Sequence, residues 1–237
     1  MATLIIPAGK AKGCNPRISR YGACCKLAAD AIEIIPRDKW AGLIGPVSLR
    51  PFVNQILDQD GLGSCATEST TQGAMIVRAV EGKPFGLLNP LSIYRVTSGG
   101  RDQGSSIDEN LAFARQTGIL PESYWPRSKG FRVEPPAGWR AVAAEYKIDE
   151  FYDVGTVVEL GSALLKGFVV VFGWDGHSCV FTRLLSPTKA EYANSWGAWW
   201  GDAGYGILDL DSVHFGYGAF AVKTTTHATP DPDVPGV

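Results

Sequence analysis

The chain changes its hydrophobic period once, near residue 150, and that change limits its architecture more than any other feature. Before it, apolar residues recur at helical spacing. Ser106 and Glu109 are three apart and precede Ile107, Leu111 and Ala114, and Gly118 stops the run. This pattern predicts a short helix with a capping box and a C-terminal glycine. Asn89-Pro90, a cap residue followed by Pro at the first helical position, opens a second helix over "LSIYRVTS". After residue 150 come "GFVVVFGW", "HSCVFTRLL", "KAEYANSW", "GYGILDLD" and "GAFAVKT". These are β-rich runs separated by Gly, Pro, Asp and Ser, with "TVVELGSALLKG" as one helix ahead of the first. The expectation is an α+β chain: a helical half at about 52–150, a sheet half at about 150–224, and a cleft where they meet. Residues 1–34 read as an N-terminal extension, and 225–237, rich in Pro and Asp, as a flexible tail.

A length of 237 residues suffices to bury a real core. The net charge of -2 comes without any Lys/Arg cluster longer than a scattered pair, which argues against nucleic acid or an anionic membrane as partner. The N-terminal apolar run ends at Pro7 with its positive charges after it, unlike a secretory signal, so a cytoplasmic location (or that of a virion or host cytoplasm) is expected. Five irregularly spaced cysteines do not make a full disulfide framework, and a reducing compartment fits them better.

The chemistry concentrates at "DQDGLGSC", Asp58 to Cys65, followed at once by the helical "ATESTTQGAMIVRAV". A thiol with an ordinary pKa near ~8.5 becomes a nucleophile when a helix N-terminus and an imidazolium lower it, and Cys65 has the first of these. Of the three histidines, His227 lies in the polar tail and His214 follows a turn, which leaves His177 at the start of a strand. One histidine without further ligands does not make a catalytic metal site, so neither metal nor cofactor is expected. Asn194 in "YANSWGAWWGDAGYG" is the candidate to orient His177, and the Cys65 N–H with the Gln59 amide the candidates to stabilise an oxyanion. Cys179, two residues after His177, reads as a small core residue.

Together "DQDGLGSC", "GHSCVF" and "NSWGAWWGDAGYG" resemble the papain-like (C1) cysteine peptidases, and most closely their bacterial and viral branch. The resemblance covers roughly Ile35 to Lys223. It implies a helical left subdomain, an antiparallel β-barrel-like right subdomain, an active-site cleft between them, and a peptidase domain at 35–224. It further implies Cys65 as nucleophile, His177 as base and acid, Asn194 as orienting residue and Gln59 as oxyanion donor. Trp196 would shield the His177 to Asn194 hydrogen bond and line the leaving-group side. Gly104 and Ser105, in a loop similar to the family's glycine loop, would pair with the backbone of an extended peptide or protein substrate. Leu62 stands in place of a disulfide cysteine and Ala66 in place of an aromatic. Cys65 and His177 are 112 residues apart, against ~130–150 in the papain type.

The implied function is a cysteine endopeptidase working through a Cys65 thioester. The alternative is a weakly active or inactive papain-like protein serving as a structural or binding part of an assembly, possibly viral. Likewise "GCNPRISRYGACCKLAADAIEI" reads either as a shortened pro-region crossing the cleft, with Cys24 or Cys25 near Cys65, or as an arm packed on the body or a neighbouring subunit.

Overall fold

The computed structural model describes residues 6–17 and 26–225. The stretch holding Cys24 and Cys25, and the tail from residue 226 on with His227, lie outside the described residues. Among the described residues five α-helices carry most of the first half and brace the second: α1 (Cys65–Val80), α2 (Leu91–Thr97), α3 (Ile107–Gln116), α4 (Trp139–Ala143) and α5 (Val157–Leu165). The described residues form seven strands, β1 (Lys26–Leu27), β2 (Ile148–Asp153), β3 (Val169–Trp174), β4 (His177–Ser186), β5 (Lys189–Ala193), β6 (Tyr205–Asp209) and β7 (Ala219–Thr225); β3 to β7 follow the five anticipated runs, while β1 and β2 were not anticipated.

The strands lie in the order β1-β2-β7-β3-β4-β5-β6, antiparallel except for the β1–β2 pair. Among the described residues this is an open sheet and not a closed barrel, because β1 and β6 are its two edges. Helix α1 is wedged between the sheet and helices α2 and α3, so that even its polar run Thr67 to Gln72 is buried. Apolar side chains of α1, α3 and the near face of the sheet form one core, and α5 with Trp40 covers the other face.

The caps show how local sequence was met. Asn89 accepts the Leu91 N–H at 2.9 Å and starts α2 just after Pro90. At α3 the anticipated capping box does not form: Ser106 donates its hydroxyl to the Glu109 carboxylate instead of accepting the Glu109 N–H. The reciprocal box occurs at α5, where Thr156 and Glu159 satisfy each other's backbone N–H groups.

Packing of α5 depends on one glycine. A Cβ on Gly161 would lie 2.0 Å from Cη2 of Trp40, a fully buried indole whose N–H donates to the Ile35 carbonyl. A rigid ring cannot yield as a flexible side chain would. Gly161→Ala is therefore expected to lower the melting temperature by roughly 3–10 °C, an overpacking cost of about 1–3 kcal/mol, read by thermal denaturation.

Candidate active site

The sheet register assembles the right-hand side of the site. Strands β3 and β4 join through Asp175-Gly176, both with positive φ (48° and 74°), the conformation that Asp-Gly favours in two-residue hairpins. This tight turn sets His177 as the first residue of β4, opposite Trp174. One strand over, β5 pairs Ala193 with Val180, and the next residue, Asn194, falls beside His177. The His177 Nε2 to Asn194 Oδ1 distance is 2.6 Å. The same oxygen accepts the Ser195 N–H at 2.8 Å and the Cys179 thiol at 3.5 Å. A backbone amide can only donate, so this atom is the carboxamide oxygen and His177 Nε2 carries the proton. A neutral ring then has its lone pair on Nδ1, which is buried and has no hydrogen-bond partner. Trp196 stacks on the imidazole, its ring centroid 4.5 Å away, and is itself fully buried.

The left-hand side is a loop stitched to that same segment. Gln59 donates its N–H to the Ser195 carbonyl, Gly197 donates to Leu57, and Ser195 Oγ donates to Gln59 Oε1 at 2.9 Å. Tyr94 donates to Asp102 at 2.6 Å while accepting the Gly104 N–H, and Asp102 also accepts the Gly63 N–H. The loop before Cys65 and the loop of Gly104-Ser105 are thus locked to one another. Cys65 begins α1, and the backbone N–H groups of Ser178, Gly13 and Ala66 lie close enough to its sulfur to favour the thiolate. The structure therefore brings Cys65, Gln59, His177, Asn194 and Trp196 together around one cleft. It shows no hydrogen bond between the Cys65 thiol and His177. His214 is exposed, in extended conformation just ahead of the one-turn 3-10 helix Phe215–Tyr217.

The chain itself occupies the cleft. Residues 10–17 run along it as an extended arm. Lys10 pairs with Asp58, the Ala11 carbonyl accepts the Gln59 Nε2–H at 3.0 Å, and Gly13 touches Cys65. Cys14 forms a parallel bridge with Ser105: Ser105 donates its N–H to Gly13 O, and Asn15 donates to Ser105 O, both at 3.0 Å. Arg17 ends the crossing in a bidentate pair with Asp153. Fit is tightest at Gly13, where a Cβ would lie 1.8 Å from the Gly63 carbonyl oxygen, and at Gly104, where one would lie 2.5 Å from the Gly13 oxygen.

Solved structures share this architecture. Xylellain, a cysteine protease from Xylella fastidiosa, matches with a TM-score of 0.71 over 94% of this chain and 99% of its own, at 20% identity. The fold is papain-like. Procathepsin L 3 of Tenebrio molitor larval midgut matches at TM-score 0.62 and 16% identity, over 89% of this chain and 83% of its own. The Carica candamarcensis cysteine protease CMS1MS2, solved in complex with E-64, matches at 0.57 and 19%, over 75% and 97%. At such identities the likeness is one of fold. No protein-family model matches the chain, and no curated protein sequence does.

Covering this papain-like cleft changes its electrostatics. Burial pushes the Cys65 thiol up to about 12, although three backbone N–H groups pull the other way. Burial likewise pushes His177 down to about 4, opposed by its bond to Asn194. Between those values the covered pair is a neutral thiol beside a neutral imidazole, which is the unreactive combination. The arm also meets Cys65 with a backbone N–H, a donor, where a nucleophile needs an electrophilic carbonyl carbon.

Sequence reasoning passed over several of these groups. Cys179 is in the core as expected, yet its thiol also contacts Asn194. Gly13 and Cys14, which face the cleft, head the "GCNPRISRYGACCKLAADAIEI" stretch read either as a pro-region crossing the cleft or as a packed arm, whereas Lys10 and Ala11, just ahead of it, carried no signal. Among the described residues Cys14, Cys65 and Cys179 are free thiols, and no helix is long and apolar enough to cross a membrane.

Proposed function

We propose that the protein is a cysteine endopeptidase held in a covered form by its own N-terminal arm. Cys65 is the nucleophile and His177 Nδ1 takes its proton. Asn194 fixes the His177 tautomer, and Gln59 Nε2–H with the Cys65 N–H stabilises the oxyanion. The Cys65 sulfur bonds to the substrate's carbonyl carbon, the scissile C–N bond breaks as His177 returns the proton to the leaving amine, and water then hydrolyses the thioester to free acid and thiol. The observation that carries the reading is the converging set of donors on Asn194 Oδ1, because it leaves a buried His177 Nδ1 with a free lone pair. Two features support the substrate class. The Gly104-Ser105 loop pairs with an extended segment of chain, and a chain carbonyl occupies the Gln59 amide.

The test uses the full chain with the arm displaced by Gly13→Val, assayed on a peptide mixture with cleavage read by mass spectrometry. Turnover is expected, with loss of several orders of magnitude in Gly13→Val/Cys65→Ala at unchanged melting temperature. A folded Gly13→Val protein that neither cleaves peptides nor reacts with a peptidyl epoxide would sink the peptidase reading. It would favour the binding or structural one, to which the covered neutral pair and the absent Cys65 to His177 hydrogen bond already lean.

A further inference from the structure

Every basic side chain of arm residues 6–17 meets an acid of the body, and these residues include no acid of their own. Lys10 pairs with Asp58, Lys12 with Asp175 and Arg17 with Asp153. Of the three contacts the first is the most elaborated. Asp58 forms an isolated bridge with Trp196 and immediately precedes Gln59, so it sits beside the proposed oxyanion donor, toward the leaving group. Its carboxylate is already engaged from the protein side. The Asp60 N–H donates to it at 2.9 Å, and so does the Trp199 indole. Gly197 permits this approach, since a Cβ there would come within 2.7 Å of Asp58 Oδ2 and 3.0 Å of Trp199 Nε1. Trp199 is 63% exposed, the most exposed large hydrophobic residue described, and the Lys10 ammonium lies 5.6 Å from its ring centroid. The Lys10 side chain is only 10% exposed in this seat.

A carboxylate fixed by two N–H donors, with an aromatic face alongside, is a preformed receptor for an organic cation. Building on the peptidase reading, we propose that Asp58 and Trp199 form a subsite for a lysine or arginine side chain on the leaving-group side of the scissile bond. The arm's Lys10 fills the subsite until the cleft is open. The substrates are then basic peptides, selected by the same charge complementarity that holds the arm. Asp58 and Trp199 act here as specificity determinants and take no part in proton transfer.

The test has two arms, both on full-length chains. In the first, Gly13→Val and Gly13→Val/Asp58→Asn digest a decapeptide library randomised at every position, and residue frequencies are tallied on each side of the cut. Lysine and arginine should be enriched about 10-fold at one leaving-side position by Gly13→Val, and that enrichment should vanish with Asp58→Asn. Cleavage with no such enrichment, or with the same enrichment in both proteins, overturns the subsite. In the second, calorimetry measures binding of a synthetic peptide of residues 6–17 to Gly13→Val, with and without norleucine in place of Lys10. The lysine peptide should bind about 10-fold more tightly to Gly13→Val and equally to the Asp58→Asn double variant. Equal affinities throughout would overturn the subsite without reference to turnover. The expected binding difference in a protein that cleaves nothing would support the cation receptor and overturn the peptidase reading alone.

Discussion

Gly13→Val is expected to accelerate alkylation of Cys65 by a peptidyl epoxide at neutral pH by roughly 100-fold, equivalent to about 2.7 kcal/mol of preference for the covered form. The cause is steric. The added Cβ would fall 1.8 Å from the Gly63 carbonyl oxygen; its position is fixed by the Gly13 backbone and the atom it meets is itself backbone, so no rotamer relieves the overlap. The arm must leave, since the Gly63 loop is tied to Asp102 and Tyr94 from behind. Once water reaches the site, the burial that pushes Cys65 up to about 12 and His177 down to about 4 is relieved, and the ion pair becomes accessible. The pH profile separates this from a general loosening. In the parent chain the thiol carries its proton below its raised pKa, so labelling should stay slow from pH 5 to 9 and rise only toward strongly alkaline pH. In Gly13→Val it should already be fast near pH 7. Intact-protein mass spectrometry over time reads both, with Cys65→Ala as the blank. Equal rates in the two folded proteins would show that the arm does not control the nucleophile.

Arg127→Ala should destabilise the fold by about 3–5 kcal/mol at neutral pH, a fall in melting temperature of roughly 6–20 °C. Glu68, one turn into α1 from Cys65, is fully buried, with Arg127 and the Ser64 hydroxyl on its carboxylate. Burial raises the Glu68 pKa despite these partners. The sign follows. A carboxyl whose folded pKa lies above its unfolded one favours the folded state most at low pH, where it is protonated, and loses that contribution as pH rises. Without Arg127 the folded pKa climbs further, so the damage should be largest near pH 7 and shrink as pH falls into the carboxyl range. Replacing both partners, as Glu68→Leu/Arg127→Met, should recover most of the loss, because no unpaired charge then stays buried. Thermal denaturation of the single and double variants between pH 4 and 8 checks both statements; an Arg127→Ala deficit independent of pH would refute the assignment to Glu68.

Much of this architecture was legible in the chain because it rests on local rules. The β-rich runs became strands where alternation and turn residues placed them, and Asp175-Gly176 supplied the hairpin that presents His177. Cys65 at a helix start and "NSWG" around Asn194 are short-range patterns, so the sequence marks the main site candidates without any tertiary contact. The capping box at Ser106 failed for an equally local reason. Its hydroxyl found the Glu109 carboxylate, and a pattern that fixes residue spacing does not fix which atom of a pair is bonded.

What the sequence determined by itself was the α+β order of elements, the helix carrying Cys65, and the strand ends carrying His177 and Asn194. Only the tertiary structure decided that the sheet stays open, that Asn194 Oδ1 gathers three donors, that Asp58 faces Trp199, and that residues 10–17 lie in the cleft. These depend on groups tens to more than a hundred residues apart. Between such positions the chain carries no periodic signal, and the choice is made by close packing and by the charge state that burial imposes. The arm is the clearest case. Its glycine and its basic residues are unremarkable in isolation, and they acquire meaning from a carbonyl oxygen at Gly63 and three carboxylates that the fold brings to its path.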